Sequence, residues 1–119
     1  LSILLVFAST LAIGAQNTRY PQVEVEASLQ RIINNLEHPG ITPGAIIASP
    51  TQQDPNYFFH WTRDAGLTVL SLMSQANTYS VIGRYVTQWG RFERLAQQES
   101  TRGQGLGEPK FHVNGTVYK

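Results

Sequence analysis

The chain has 119 residues, of which 41% are hydrophobic, and this composition excludes wholesale disorder. Nine Lys and Arg oppose eight Asp and Glu for a net charge of +1, with no basic block, so no nucleic-acid partner is expected. Cysteine is absent, which excludes disulfides, a thiolate zinc site and a cysteine nucleophile. The histidines at 38, 60 and 112 lack the spacing of a compact metal motif, so we expect no metal and no cofactor.

An apolar run occupies residues 1–13 and is followed by the small residues Gly14 and Ala15. This pattern is typical of a secretory signal peptide that is truncated at its basic start. Residues 1–15 are therefore interpreted as a leader, and the protein is expected to be secreted, extracellular and free of the membrane after cleavage. A buried hydrophobic helix and a membrane anchor are the alternatives, although a membrane span needs about 20 residues.

The first element predicted in the mature part is an amphipathic helix at residues 22–37. Its apolar residues recur three and four positions apart, and Pro21 suits the first position of a helix. A Pro–Gly pair at residues 39–40 marks its end. Residues 44–50 are then predicted to form a short, apolar, extended segment.

Two further helices are predicted downstream. The second is capped by Thr62 or Asp64 and runs to about Asn77. Its apolar residues surround most of the cylinder, which is typical of a helix enclosed in a large protein. The third helix covers residues 81–97, with one buried stripe and a charged, exposed side that includes Glu93.

The stretch most suited to chemistry is residues 57–64. Tyr57, Phe58, Phe59 and Trp61 are aromatic, and Arg63 and Asp64 follow them. Aromatic faces stack on apolar faces of ligands, while Arg donates and ionised Asp accepts hydrogen bonds. Together these groups suit a polyhydroxylated ligand, because every sugar hydroxyl is both donor and acceptor. The alternative is structural: the aromatics form core, and the charges stabilise the start of a helix.

Two segments together resemble the N-terminal part of fungal glucoamylases, glycoside hydrolase family 15. They are residues 44–67, GAIIASPTQQDPNYFFHWTRDAGL, and residues 106–118, LGEPKFHVNGTVY. The resemblance extends over residues 25–119, so residues 16–119 are interpreted as the N-terminal part of the catalytic domain. It implies an all-α fold, namely the N-terminal portion of an (α/α)6 barrel that is incomplete in this chain.

The resemblance also implies an activity. Members of the family are secreted, glycosylated, exo-acting enzymes that release glucose from the non-reducing ends of starch and maltooligosaccharides. They hydrolyse α-1,4 bonds, and α-1,6 bonds more slowly, with inversion. The expected partners are therefore starch, maltooligosaccharides and glucose, and the protein is expected to be a monomer.

Five residues of this chain match pocket-lining positions of the family. Arg63 and Asp64 are expected to hold hydroxyls of the terminal glucose, Tyr57 to wall the pocket near the anomeric centre, and Trp61 to lie beside the catalytic acid. Lys110, in the second segment, is expected on the pocket side of a long loop. His60 departs from the family, which often has Thr or Gln at that position.

The catalytic pair is expected outside this chain. Inversion needs a carboxylic acid and a carboxylate base about 6.5–9.5 Å apart. In the family both are glutamates, and the resemblance puts them beyond Lys119. None of the acids of this chain matches either position: Glu24, Glu26, Glu37, Asp54, Asp64, Glu93, Glu99 and Glu108. Asn114 begins the only N-glycosylation sequon, Asn-Gly-Thr, and is a candidate glycan site.

Two other functional classes remain open at this point. One is a non-catalytic carbohydrate-sensing or binding module on the same helical barrel, and the other is an independent secreted helical domain. The leader favours the enzyme over a regulator, because an intracellular regulator would not carry one. A downstream pair of glutamates would decide for the enzyme.

Overall fold

The computed structural model describes residues 21–101 and 109–118, so the leader expected at residues 1–15 lies outside the described residues. Three helices and two short strands follow one another in the described ranges. Their order is α1 (Gln22–Leu36), β1 (His60–Trp61), α2 (Thr62–Met73), α3 (Ile82–Thr101) and β2 (Lys110–Phe111). None of these helices is both long and apolar enough to cross a membrane.

α1 confirms the first predicted helix to within one residue at its end. Pro21 is the N-cap of the helix and not, as expected, its first helical residue. At the other end, the backbone N–H of the C-cap Glu37 donates to the Ile33 carbonyl at 2.9 Å. Spacings of four and three residues bring the apolar side chains to one face. The buried residues are Leu29, Ile33 and Leu36.

α2 has one covered side and one exposed apolar side. It ends at Met73, short of the predicted Asn77, because the next residues form tighter turns in which the Gln75 N–H donates to the Leu72 carbonyl at 2.8 Å. Its covered side consists of Ala65, Val69 and Leu72. Its exposed side, called here the open face of α2, consists of Leu67, Leu70 and Met73, which are 58%, 65% and 54% exposed. The predicted enclosure is thus absent from the described part of the chain.

α3 carries the predicted buried stripe and extends beyond its predicted end to Thr101. Its first half packs with α1 and α2 through Ile82 and Tyr85. Its second half forms a separate cluster through Phe92 and Ala96, which pack with Ala45 and Phe111. α3 therefore packs against α1 and α2 with its first half, and against the segments near the two strands with its second half.

Gly44 allows the predicted extended segment to lie directly against α3. Its φ is +97°, and a Cβ on it would lie 2.1 Å from the carbonyl oxygen of Gln88. Residues 45–47 are buried behind it, and Ile47 forms an isolated antiparallel bridge with His60. Residues 45–47 are called here the floor segment, because β1 packs against them.

A polar cluster joins the end of α1 to the start of α3. The Tyr85 hydroxyl donates to Glu37 Oε1 at 2.5 Å, and Arg84 Nη2 donates to the same oxygen at 3.1 Å. Burial of Tyr85 raises the pKa of its hydroxyl above the ordinary value, and the hydrogen bond to Glu37 raises this pKa further. These contacts hold the end of α1 against the start of α3.

Candidate functional site

The two strands bring the two distant sequence segments together. In the antiparallel pair of β1 and β2, Trp61 lies opposite Lys110, and His60 lies opposite Phe111. The Thr62 N–H extends the pairing by donating to the Pro109 carbonyl at 3.1 Å. Because directly opposite residues share a face of a sheet, Trp61 and Lys110 lie side by side. The sequence did not predict this sheet, although the fold is otherwise helical, as expected.

The Lys110 ammonium is surrounded by aromatic rings. Its Nζ lies 4.0 Å from the ring centroid of Phe59, 4.8 Å from that of Trp61 and 3.6 Å from that of Tyr118. Phe59 and Tyr118 also meet edge to face, with centroids 5.1 Å apart. These four residues are called here the lysine–aromatic cluster.

The cluster leaves the N–H groups of Lys110 available to a ligand. No carboxylate among the described residues lies within salt-bridge distance of Nζ. Cation–π attraction, at about 0.5–2 kcal/mol for each ring, holds the ammonium in place without an oxygen acceptor. A fixed cation with unfilled donors beside aromatic faces suits a ligand rich in hydroxyl groups.

A buried polar pair lies beneath β1. His60 is fully buried, its Nδ1 accepts the Ile46 N–H at 3.0 Å, and its Nε2 lies 2.7 Å from Glu93 Oε1. Since Nδ1 accepts, the proton lies on Nε2 and is donated to Glu93. The prediction that Glu93 is on the exposed side of its helix is wrong: its side chain is only 13% exposed, because it accepts the bond of a core histidine.

Arg63 and Asp64 lie in the first turn of α2. Their side chains are 83% and 47% exposed, and Arg63 Nη2 lies 3.7 Å from Asp64 Oδ1. An ion pair this exposed contributes about 1 kcal/mol or less, so both groups remain available to a ligand. Neither predicted cap is used, because Trp61 is the N-cap, without a side-chain cap bond, and Pro109 takes the Thr62 N–H.

Asp64 borders a cavity of about 250 Å³. Asn35 and Thr68 supply further polar groups to its lining, and Ile46 and Ile47 supply the apolar part from the floor segment. A larger groove of about 450 Å³, between α1 and α2, contains none of the residues predicted for the site. The smaller cavity is therefore the relevant one, since the candidate carboxylate lines it.

Within the described residues, no hydrogen bond, ion pair or ring contact joins Tyr57 to the other four candidate residues. Its side chain is on the surface, 48% exposed, and its backbone N–H donates to the Thr51 carbonyl at 3.0 Å. Its place in a pocket thus rests on the resemblance alone.

Sequence reasoning missed two members of the lysine–aromatic cluster. Phe59 stood in the aromatic run but was not distinguished from core, and Tyr118 ended the second segment without a role. Alternation about the buried His60 could have pointed to Phe59, since its neighbours in the chain face the opposite side. Tyr118 reaches Lys110 through a local hairpin, in which Phe111 bridges to Val117 and the Tyr118 N–H donates to the Lys110 carbonyl at 3.4 Å. The Asn-Gly pair at residues 114–115 could have pointed to this turn.

The sequon residue Asn114 lies at an exposed turn near β2. Its Oδ1 accepts the Thr116 N–H at 3.0 Å and the Thr116 hydroxyl at 2.7 Å. The side chain of the candidate glycan site is thus ordered by the third residue of its own sequon.

The chain is similar to known proteins both in sequence and in structure. The model of the family Glycosyl hydrolases family 15 matches residues 23–119. The chain is 31% identical over 102 residues to a probable glucoamylase of Schizosaccharomyces pombe, which covers 76% of this chain and 23% of that protein. It superposes on the glucoamylase of Saccharomycopsis fibuligera with a TM-score of 0.69 and 28% identity, covering 79% of this chain and 22% of that one.

A second solved structure, the Hormoconis resinae glucoamylase, gives a TM-score of 0.72 at 28% identity, covering 82% of this chain and 19% of that one. The chain spans about a fifth of the length of the curated relatives it matches. These neighbours confirm the predicted fold class, and the three helices are part of an α/α barrel. The chain belongs to glycosyl hydrolases family 15.

Proposed function

We propose that this chain supplies part of the sugar pocket of a glucoamylase that releases glucose from the non-reducing ends of starch and maltooligosaccharides by inverting hydrolysis. The lysine–aromatic cluster carries the proposal, because it is a fixed hydrogen-bond donor between aromatic faces. Asp64 adds an acceptor on a neighbouring cavity. The resemblance to the family implies that the acid and base are glutamates downstream of Lys119, and none of the carboxylates of this chain matches either position.

The available N–H groups of Lys110 support a role in holding sugar hydroxyls. A hydrogen bond to a charged group contributes about 1.5–3 kcal/mol. In the full-length protein that contains this chain, Lys110→Met keeps the aliphatic stem and removes the donor. We expect kcat/KM for maltooligosaccharides to fall roughly 10- to 150-fold.

The matched control is Arg31→Met, which removes one positive charge from the exposed surface of α1. It should leave kcat/KM unchanged. The anomer of the first-formed glucose, read by NMR, tests inversion: an α-linked substrate should give β-glucose. A full-length protein that binds maltooligosaccharides but releases no glucose would instead favour the non-catalytic sugar-binding module.

Secretion and glycosylation are part of the same proposal. The apolar run at residues 1–13 supports a leader, and the exposed, ordered sequon at Asn114 supports a glycan. Expression of the full-length protein in a fungal host should yield enzyme in the medium. Its mass should fall on endoglycosidase treatment, and Asn114→Gln should remove the part of that difference due to this glycan. Enzyme retained in cells would contradict the leader, and an unchanged difference would contradict the glycan at Asn114.

A further inference from the structure

We propose that the buried pair His60–Glu93 is a positioning device for sugar binding: it fixes β1 so that the lysine–aromatic cluster keeps the geometry in which it meets the substrate. The inference rests on the proposed function of that cluster. Neither residue touches the substrate in this account, so both are positioning residues.

The first support is the place of His60 in the chain. It lies between Phe59 and Trp61, whose rings contact Lys110 Nζ. Successive side chains of a strand point to opposite faces, so β1 presents the His60 ring inward and the Trp61 ring outward, and Phe59 directly precedes the strand. A displacement of the His60 backbone therefore moves Phe59 and Trp61 with it.

The second support is the number of segments that meet at His60. Its backbone pairs with Phe111 of β2 and bridges to Ile47 of the floor segment. Its ring accepts from Ile46 and packs against Phe92 of α3, with centroids 4.7 Å apart. One side chain thus ties α3 and the floor segment to the sheet.

The third support is that both ring nitrogens of His60 already have hydrogen-bond partners. Loss of the Glu93 acceptor leaves a buried N–H on Nε2 without a partner. The other tautomer offers no escape, because its Nδ1–H would face the Ile46 N–H, and two donors would oppose each other. Removal of Glu93 therefore takes from the ring its hydrogen bond to α3, and from β1 the support that this bond gives it.

The test uses three variants of the full-length protein. Glu93→Ala removes the acceptor and should lower kcat/KM for maltooligosaccharides roughly 10- to 100-fold, since displacements near 1 Å at a binding group are costly. Glu93→Gln keeps an oxygen acceptor for His60 and should restore kcat/KM to within about threefold of the wild type. Glu37→Ala is the matched control: it breaks the Tyr85 hydrogen bond, which joins α1 to α3 and includes neither His60 nor a residue of the lysine–aromatic cluster, and should leave kcat/KM unchanged.

A double-mutant cycle separates positioning from general loss of stability. If Glu93 acts through the lysine–aromatic cluster, Glu93→Ala should have little further effect in a Lys110→Met background, so the two losses are strongly non-additive. All measurements are made well below the unfolding temperature of each variant. Additive losses, or a loss from Glu37→Ala equal to that from Glu93→Ala, would overturn the inference.

The wild type keeps the two proposals apart. If it hydrolyses maltooligosaccharides and the cycle is additive, only the positioning role fails. If it binds them without hydrolysis, the catalytic proposal fails and the same cycle is measured on the dissociation constant. If it neither binds nor hydrolyses them, both fail.

Discussion

Gly44→Ala should destabilise the folded protein strongly, for two reasons that the structure separates. A residue other than glycine at φ +97° costs about 1–2 kcal/mol. The new Cβ would also lie 2.1 Å from Gln88 O and 2.5 Å from Gln88 C, which are helix backbone and cannot turn away. Overpacking of this kind typically costs about 1–3 kcal/mol. We therefore expect the free energy of unfolding to fall by about 2–5 kcal/mol.

Gly40→Ala isolates the first of these costs. Gly40 has a similar φ of +87°, but nothing lies within 4 Å of its built Cβ. Its loss should be about 1–2 kcal/mol, and the entropy gained by removing a glycine from the unfolded chain is common to both variants. Guanidinium unfolding of the full-length protein, followed by tryptophan fluorescence, measures both. Equal losses in the two variants would refute the close approach of the floor segment to α3.

Three further predictions concern charge and exposed surface. Asp64→Asn in the full-length protein should lower kcat/KM roughly 10- to 150-fold, whereas a mere helix-terminus charge would cost about 0.3–1 kcal/mol of stability with kinetics intact. Because burial raises the pKa of Tyr85, the folded state holds this proton more tightly than the unfolded chain. Stability from this group is complete below pH 10.0 and is lost as the pH rises through the raised pKa, and Tyr85→Phe should abolish that loss in pH-dependent unfolding. The 119-residue chain alone should bind a hydrophobic dye through the open face of α2, lack a sharp thermal transition and release no glucose.

Contrary results are easy to recognise. Wild-type kinetics for Asp64→Asn would remove it from the sugar site. An unfolding curve for Tyr85→Phe that parallels the wild type above pH 10.0 would contradict the role of burial. A cooperative transition of the isolated chain would contradict the exposed face of α2.

The helices could be predicted from the sequence because their signal is local. Apolar residues that recur three and four positions apart predicted α1 and the buried stripe of α3 closely. The end of α2 was harder, because polar residues after Met73 can continue a helix or form turns, and hydrogen bonds between neighbouring residues decide. The predicted enclosure of α2 depends on surfaces beyond the described residues.

The site could be predicted only in part, because its geometry is made by contacts across the chain. β1 and β2 have two residues each, too few for an alternating pattern to stand out. The pairing of Trp61 with Lys110 therefore left no local trace. The burial of Glu93 also could not be predicted locally. Its position on α3 belongs to the charged side of the helix, and only the contact with the distant His60 ring covers it.

The pairing of β1 with β2 also makes Lys110 and Phe111 sensitive to a slip of one residue. Such a slip turns each side chain to the other face of the strand. The lysine would then lie in the core opposite His60, where an unpaired ammonium is very costly, and the phenylalanine would take its place among the rings. Because this alternative is so unfavourable, two residues of opposite character are enough to select a single alignment of strands that are otherwise too short to specify one.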